Sequence, residues 1–108
     1  MTVSELSKIN KLKVVCMPSP DRVIDGAYVG DLLSWVMGRA KEGNAWITIM
    51  SNNNTVAVAS LADVSCVILA EGVTLEDSVI ETAKQNSINI LSTNLTAYDA
   101  AVSISKLI

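Results

Sequence analysis

Short apolar runs alternate along this chain with segments of helical periodicity, and turn or capping residues mark most changes of rhythm. Thr2-Val3-Ser4-Glu5 has the form of a capping box. The helix it opens puts Val3, Leu6 and Ile9 on one face, with Asn10 as a left-handed stop. Lys13 to Met17 is a short strand, ended by Pro18 and Pro20, which cannot donate to a ladder. The loop Ser19-Pro20-Asp21-Arg22 delivers a second extended run, Val23 to Val29, with Gly26 inside it as a bulge or close approach. Asp31 reads as the cap of a helix from Leu32 to Ala40, closed by Gly43. Ala45 to Met50 is a buried strand. Thr55 to Ala62 reads as a helix, although Val56, Ala59, Ser60 and Asp63 also fit an alternating strand. Cys66 to Leu69 and Ile88 to Leu91 are strands. Thr74 opens a helix running to about Asn86, and Thr96 opens a last one with Ala97, Ala101, Ile104 and Ile108 on one face.

Strands alternating with helices of this length predict an α/β fold: three layers, with a largely parallel sheet and helices on both faces. The 108 residues suit one domain, 1–108. Composition agrees: 50% of the residues are hydrophobic but only 4% aromatic, so Val, Ile, Leu and Ala must build the core, as in a covered parallel sheet. So much apolar material in a small domain predicts that some lies at the surface, where a homodimer contact would cover it. Leu32, Leu33, Trp35, Val36 and Met37 are the candidates, because a helix lying on a sheet needs only one apolar stripe; burial within the monomer is the other reading. Trp46 begins a buried strand and belongs to the core.

The net charge is −3 and there is no basic run, which argues against nucleic acid as a partner. Cys16 and Cys66 sit in separate apolar runs and read as buried thiols of a reducing compartment. The start is polar, without the apolar core of a signal peptide, and the longest apolar stretch, Val56 to Ala70, is broken by Asp63 and serines. These features predict a cytoplasmic protein without a membrane span.

Ligands of open parallel sheets bind beyond the carboxyl ends of the strands. Here those ends are followed by Gly30 and Asp31, by Ser51, Asn52, Asn53 and Asn54, by Glu71, Gly72 and Thr74, and by Ser92, Thr93 and Asn94. Two readings fit. These residue types cap helices, and they would also form a polar ligand edge favouring an anion. Asp21 and Arg22 are similarly open between a structural pair pinning the loop and an anion clamp. No catalytic set is present. The chain has no His, neither Cys has a basic neighbour, and metal-ligand spacing is absent. No cofactor is expected.

The order of the elements, with YVGDLLSWVM, AWIT and VAVASLADV, resembles the DRTGG domain family, which is similar to the N-terminal domain of HPr kinase/phosphorylase. The family's letters would fall on Asp21, Arg22, Asp25, Gly26 and Gly30, with Asp25 where the family has Thr. The resemblance implies an accessory domain, like the one beside nucleotide-sensing CBS domains in some pyrophosphatases. It does not imply a kinase, since GxxxxGK[ST] is absent from this sequence. The expected function is a non-catalytic, homodimeric regulatory domain sensing a small anionic or nucleotide-like metabolite. The alternative is an adaptor docking a metabolic enzyme through Leu32–Met37, with no small ligand.

Overall fold

The computed structural model describes residues 1–9 and 11–108; the predicted stop at Asn10 lies outside them. Its elements are α1 (Val3–Ser7), β1 (Lys13–Cys16), β2 (Gly26–Val29), α2 (Leu33–Arg39), β3 (Asn44–Thr48), α3 (Asn53–Ala62), β4 (Cys66–Leu69), α4 (Asp77–Gln85), β5 (Ile90–Ser92) and α5 (Ala97–Ser105). The strands form one sheet in the order β1-β5-β4-β3-β2. β2 to β5 are parallel neighbours, and β1 joins β5 antiparallel.

From β2 to β5 each connection steps one strand in the same direction, so crossovers of one hand must place α2, α3 and α4 on one face. Val36, Val56, Ala59, Val79 and Ala83 of those helices pack there on Trp46, Val67, Leu69 and Ile90. The opposite face carries α1 and α5, whose Val3, Leu6, Ala100 and Ile104 meet Ala45, Ile47, Cys66, Ile68 and Leu91. Successive residues of β3 and β4 thus serve opposite cores, which is why these strands are apolar throughout instead of alternating. The three-layer, largely parallel α/β fold is as the sequence predicted.

Several local expectations are corrected. Asp31 does not cap α2. Its Oδ1 accepts from the Thr48 hydroxyl at 2.7 Å and the Ile49 N–H at 2.9 Å, and Leu32 stands at the N-cap without a side-chain bond. Gly43 does not close α2, which ends at Arg39; at φ +85° it makes the turn into β3. Gly26 begins β2 and is not a bulge; the bulge lies in β1 between Val14 and Cys16. Of the two readings of Gly26 the close approach holds, since a Cβ there would lie 3.2 Å from the Asn44 Nδ2. Val23 makes an isolated bridge to Thr2 outside any strand. α4 starts at Asp77 instead of Thr74, and β5 is displaced to Ile90–Ser92. Ile108 lies beyond α5 and is 41% exposed. The ambiguous segment is helical: Asn52 caps α3, accepting from the Asn54 and Thr55 N–H groups.

Candidate functional site

Because β2 to β5 are parallel, their carboxyl ends share one edge of the sheet, and the antiparallel β1 starts there. The two halves of this edge differ. At β2 and β3 the polar groups are used internally. Asp31 ties the ends of the two strands together, the Trp46 Nε1–H donates to the Gly30 carbonyl at 2.9 Å, and Asn52 is spent on its cap. Asn53 and Asn54 are exposed and face no recess at the strand ends.

At β4, β5 and β1 the edge opens into a recess of about 540 Å³. One wall is Gly72, Val73 and Thr74, leading to α4. A second is Ser92 to Leu95, following β5, and the third is Lys11 and Lys13. The walls are laced together by backbone bonds from Glu71 N–H to the Leu95 carbonyl (2.8 Å), Gly72 N–H to Thr93 (2.9 Å) and Thr93 N–H to Leu69 (2.9 Å). The reversal after β4 needs left-handed backbone at Glu71 (φ +59°) and Gly72 (φ +73°). A Cβ on Gly72 would lie 3.0 Å from the Asn94 Oδ1, so Gly keeps that wall open as well as allowing the turn. Lys13 stands directly opposite Ser92 in the antiparallel register, which sets ammonium and hydroxyl on one face.

The lining contains two lysines and no carboxylate, in a chain of net charge −3. Neither lysine has an ion pair among the described residues. The side chains of Thr74, Ser92 and Asn94 make no hydrogen bond to another described residue, whereas the Thr93 hydroxyl is taken by the Leu95 N–H. Paired ammonium groups beside unengaged hydroxyl and amide donors suit an anion.

Of the residues expected at a ligand edge, the fold therefore gathers Gly72, Thr74, Ser92, Thr93 and Asn94. Glu71 stands beside them, exposed and outside the lining. Gly30, Asn52, Asn53 and Asn54 belong to the other half of the edge. Arg22 is at the opposite edge altogether. It pairs with Asp63, not with Asp21: Nη1 reaches the carboxylate and Nη2 the carbonyl, each at 2.9 Å. Lys11 and Lys13 were missed. The rule that ligands sit after parallel strands points only at their carboxyl ends, whereas Lys11 precedes and Lys13 begins a strand that runs the other way. The available signal was their i, i+2 placement ahead of an apolar run ended by proline.

The stripe on α2 is narrower than expected. Val36 is fully buried and belongs to the core, and Leu33 is half-buried against it. Leu32, Trp35 and Met37 are 61%, 54% and 48% exposed, and the Arg39 guanidinium lies 4.0 Å over the Trp35 ring. Burial pushes the Cys66 thiol up to about 12 and raises Cys16 as well, so neither is poised as a nucleophile. Among the described residues there is no cluster of metal-ligating side chains, and no helix is long and apolar enough to cross a membrane.

The DRTGG domain model matches residues 8–107. This chain belongs to the DRTGG domain family. Its fold is similar to that of the CBS and DRTGG domains in the regulatory region of Clostridium perfringens pyrophosphatase, solved with the activator diadenosine tetraphosphate. The TM-score is 0.63 at 19% identity, over 84% of this chain and 40% of the other. This DRTGG chain thus spans less than half the length of that regulatory region. No curated protein matches it.

Proposed function

We propose that this DRTGG domain is a non-catalytic regulatory module that senses a small anionic metabolite and homodimerises through α2. The observation that carries the reading is the recess at the carboxyl ends of β4 and β5: among the described residues, two lysines without carboxylate partners line it together with unengaged hydroxyl and amide groups. A regulatory role is in keeping with the fold neighbour, itself a regulatory region crystallised with an activator. The dimer is supported by Leu32, Trp35 and Met37, exposed apolar side chains on either side of the buried Val36, in the segment that follows β2, the outermost strand of the sheet. A cytoplasmic setting fits two buried reduced thiols.

The test is thermal unfolding of the chain against a panel of phosphates, carboxylates and nucleotides, with sedimentation velocity on the same samples. A ligand present at a hundred times its Kd stabilises by about 2.7 kcal/mol, which is easily resolved in a domain of this size. A saturable rise in Tm with at least one anion is expected, together with a dimer that Leu32→Glu converts to monomer. No shift with any member at millimolar concentration contradicts the sensor. A wild-type monomer at every concentration contradicts the dimer and returns the stripe to the adaptor reading, in which a metabolic enzyme covers it.

A further inference from the structure

We infer that the recess takes the phosphate group of a small phosphorylated metabolite, held by Lys11 and Lys13. This rests on the anion-sensing reading and adds the chemical class. Three features favour phosphate. First, the cations are both lysines. Lysine ammonium groups act as compact point charges with three rotatable donors each, a recurrent way of holding phosphate oxygens that needs no fixed planar fork.

Second, the charge count fits. A phosphate monoester carries about −1.5 to −2 at neutral pH. Two ammonium groups without a carboxylate in the lining balance that dianion, while a monoanion leaves one lysine uncompensated. Third, the rest of the wall offers donors. The Thr74 and Asn94 backbone N–H groups have no backbone acceptor among the described residues, and the Ser92 hydroxyl and Asn94 amide are unengaged. Phosphate, with three terminal oxygens, uses such a set more fully than a carboxylate does.

The recess also says something about the body that carries the phosphate. At about 540 Å³ it falls within the range of small-molecule sites and exceeds what a bare phosphate fills. Its lining contains no aromatic ring; Val73 and Leu95 are its apolar side chains. A nucleobase would find no stacking platform there. A hydroxyl-bearing body such as a sugar fits the polar wall better.

The test is isothermal titration calorimetry of the full chain with pyrophosphate, glucose 6-phosphate, AMP and citrate. The phosphate probes are expected to bind, AMP no tighter than glucose 6-phosphate. In Lys11→Ala/Lys13→Ala their affinity is expected to fall at least about tenfold, the scale of one lost charged hydrogen bond. The charge-matched control Lys41→Ala/Lys84→Ala, at the amino-end edge of the sheet, should stay within about twofold, since surface charges remote from the ligand are largely screened. Citrate binding without the phosphates overturns the phosphate class and leaves the anion sensor standing. Phosphate binding undiminished in the double variant overturns the lysine assignment. AMP tighter than glucose 6-phosphate by tenfold overturns the unstacked body. If no probe binds, the sensor reading falls as well.

Discussion

The two edges of this sheet are built from similar residue types and use them in opposite ways. At the amino ends of the parallel strands a set of polar groups is committed to internal bonds. Asn89, buried before β5, accepts from the Ser19 N–H at 2.9 Å and donates to the Ser19 and Ser65 carbonyls at 2.7 and 2.9 Å. The Ser65 hydroxyl donates to the Val23 carbonyl at 2.6 Å. Arg22 holds Asp63, which ends α3 in a left-handed conformation, and the Asp63 carbonyl also accepts from the Gly43 N–H. At the carboxyl ends of β4 and β5, two lysines, the Thr74 and Ser92 hydroxyls and the Asn94 amide have no side-chain partner among the described residues. Of the positions read as family letters, Asp21, Arg22, Asp25 and Gly26 lie at the committed edge and Gly30 at the carboxyl end of β2. Arg22, a signature position, is thus a fastener, while Lys11 and Lys13 carry no motif.

The contrast breaks most visibly at Asn89. Asn89→Ala leaves the Ser19 N–H and two carbonyls without their partner, so a loss of about 2–4 kcal/mol is expected in urea unfolding, as for other broken buried networks. A loss below 0.5 kcal/mol, the scale of an ordinary surface substitution, would show that this edge is not held by its polar groups. Next is Arg22→Ala. Both partners are partly solvated, with side-chain exposures of 33% and 56%, so screening limits the effect to about 1 kcal/mol. If Arg22 were instead an anion clamp, the variant would lose ligand affinity and keep its stability. Smallest is Lys11→Ala/Lys13→Ala, exposed and unpaired, for which a stability change within about 0.5 kcal/mol is expected. Thermal unfolding of ligand-free protein measures it. A large loss would make these lysines fasteners too and erase the difference between the edges.

How far the sequence could be read follows the same division. Layers, sheet direction and most elements were legible because β3 and β4 are apolar on both faces and helices separate the parallel strands. Half of the site was legible for the same reason: Gly72, Ser92, Thr93 and Asn94 follow parallel strands. What could not be read was pairing across long separations. Nothing local says that Asp31 bonds Thr48 and Ile49 in place of an α2 cap, or that Arg22 reaches Asp63 in place of its neighbour Asp21. Lys11 and Lys13 escaped because the antiparallel direction of β1 depends on where a distant strand, β5, offers it an edge.

The most direct measurement is the backbone amide NMR spectrum of the labelled chain during a pyrophosphate titration. The account predicts saturable shifts at Lys11, Lys13, Gly72–Thr74 and Ser92–Leu95, with Arg22, Asp63 and Asn89 unmoved. Shifts centred on Arg22 and Asp63, or none at saturating pyrophosphate, would contradict it.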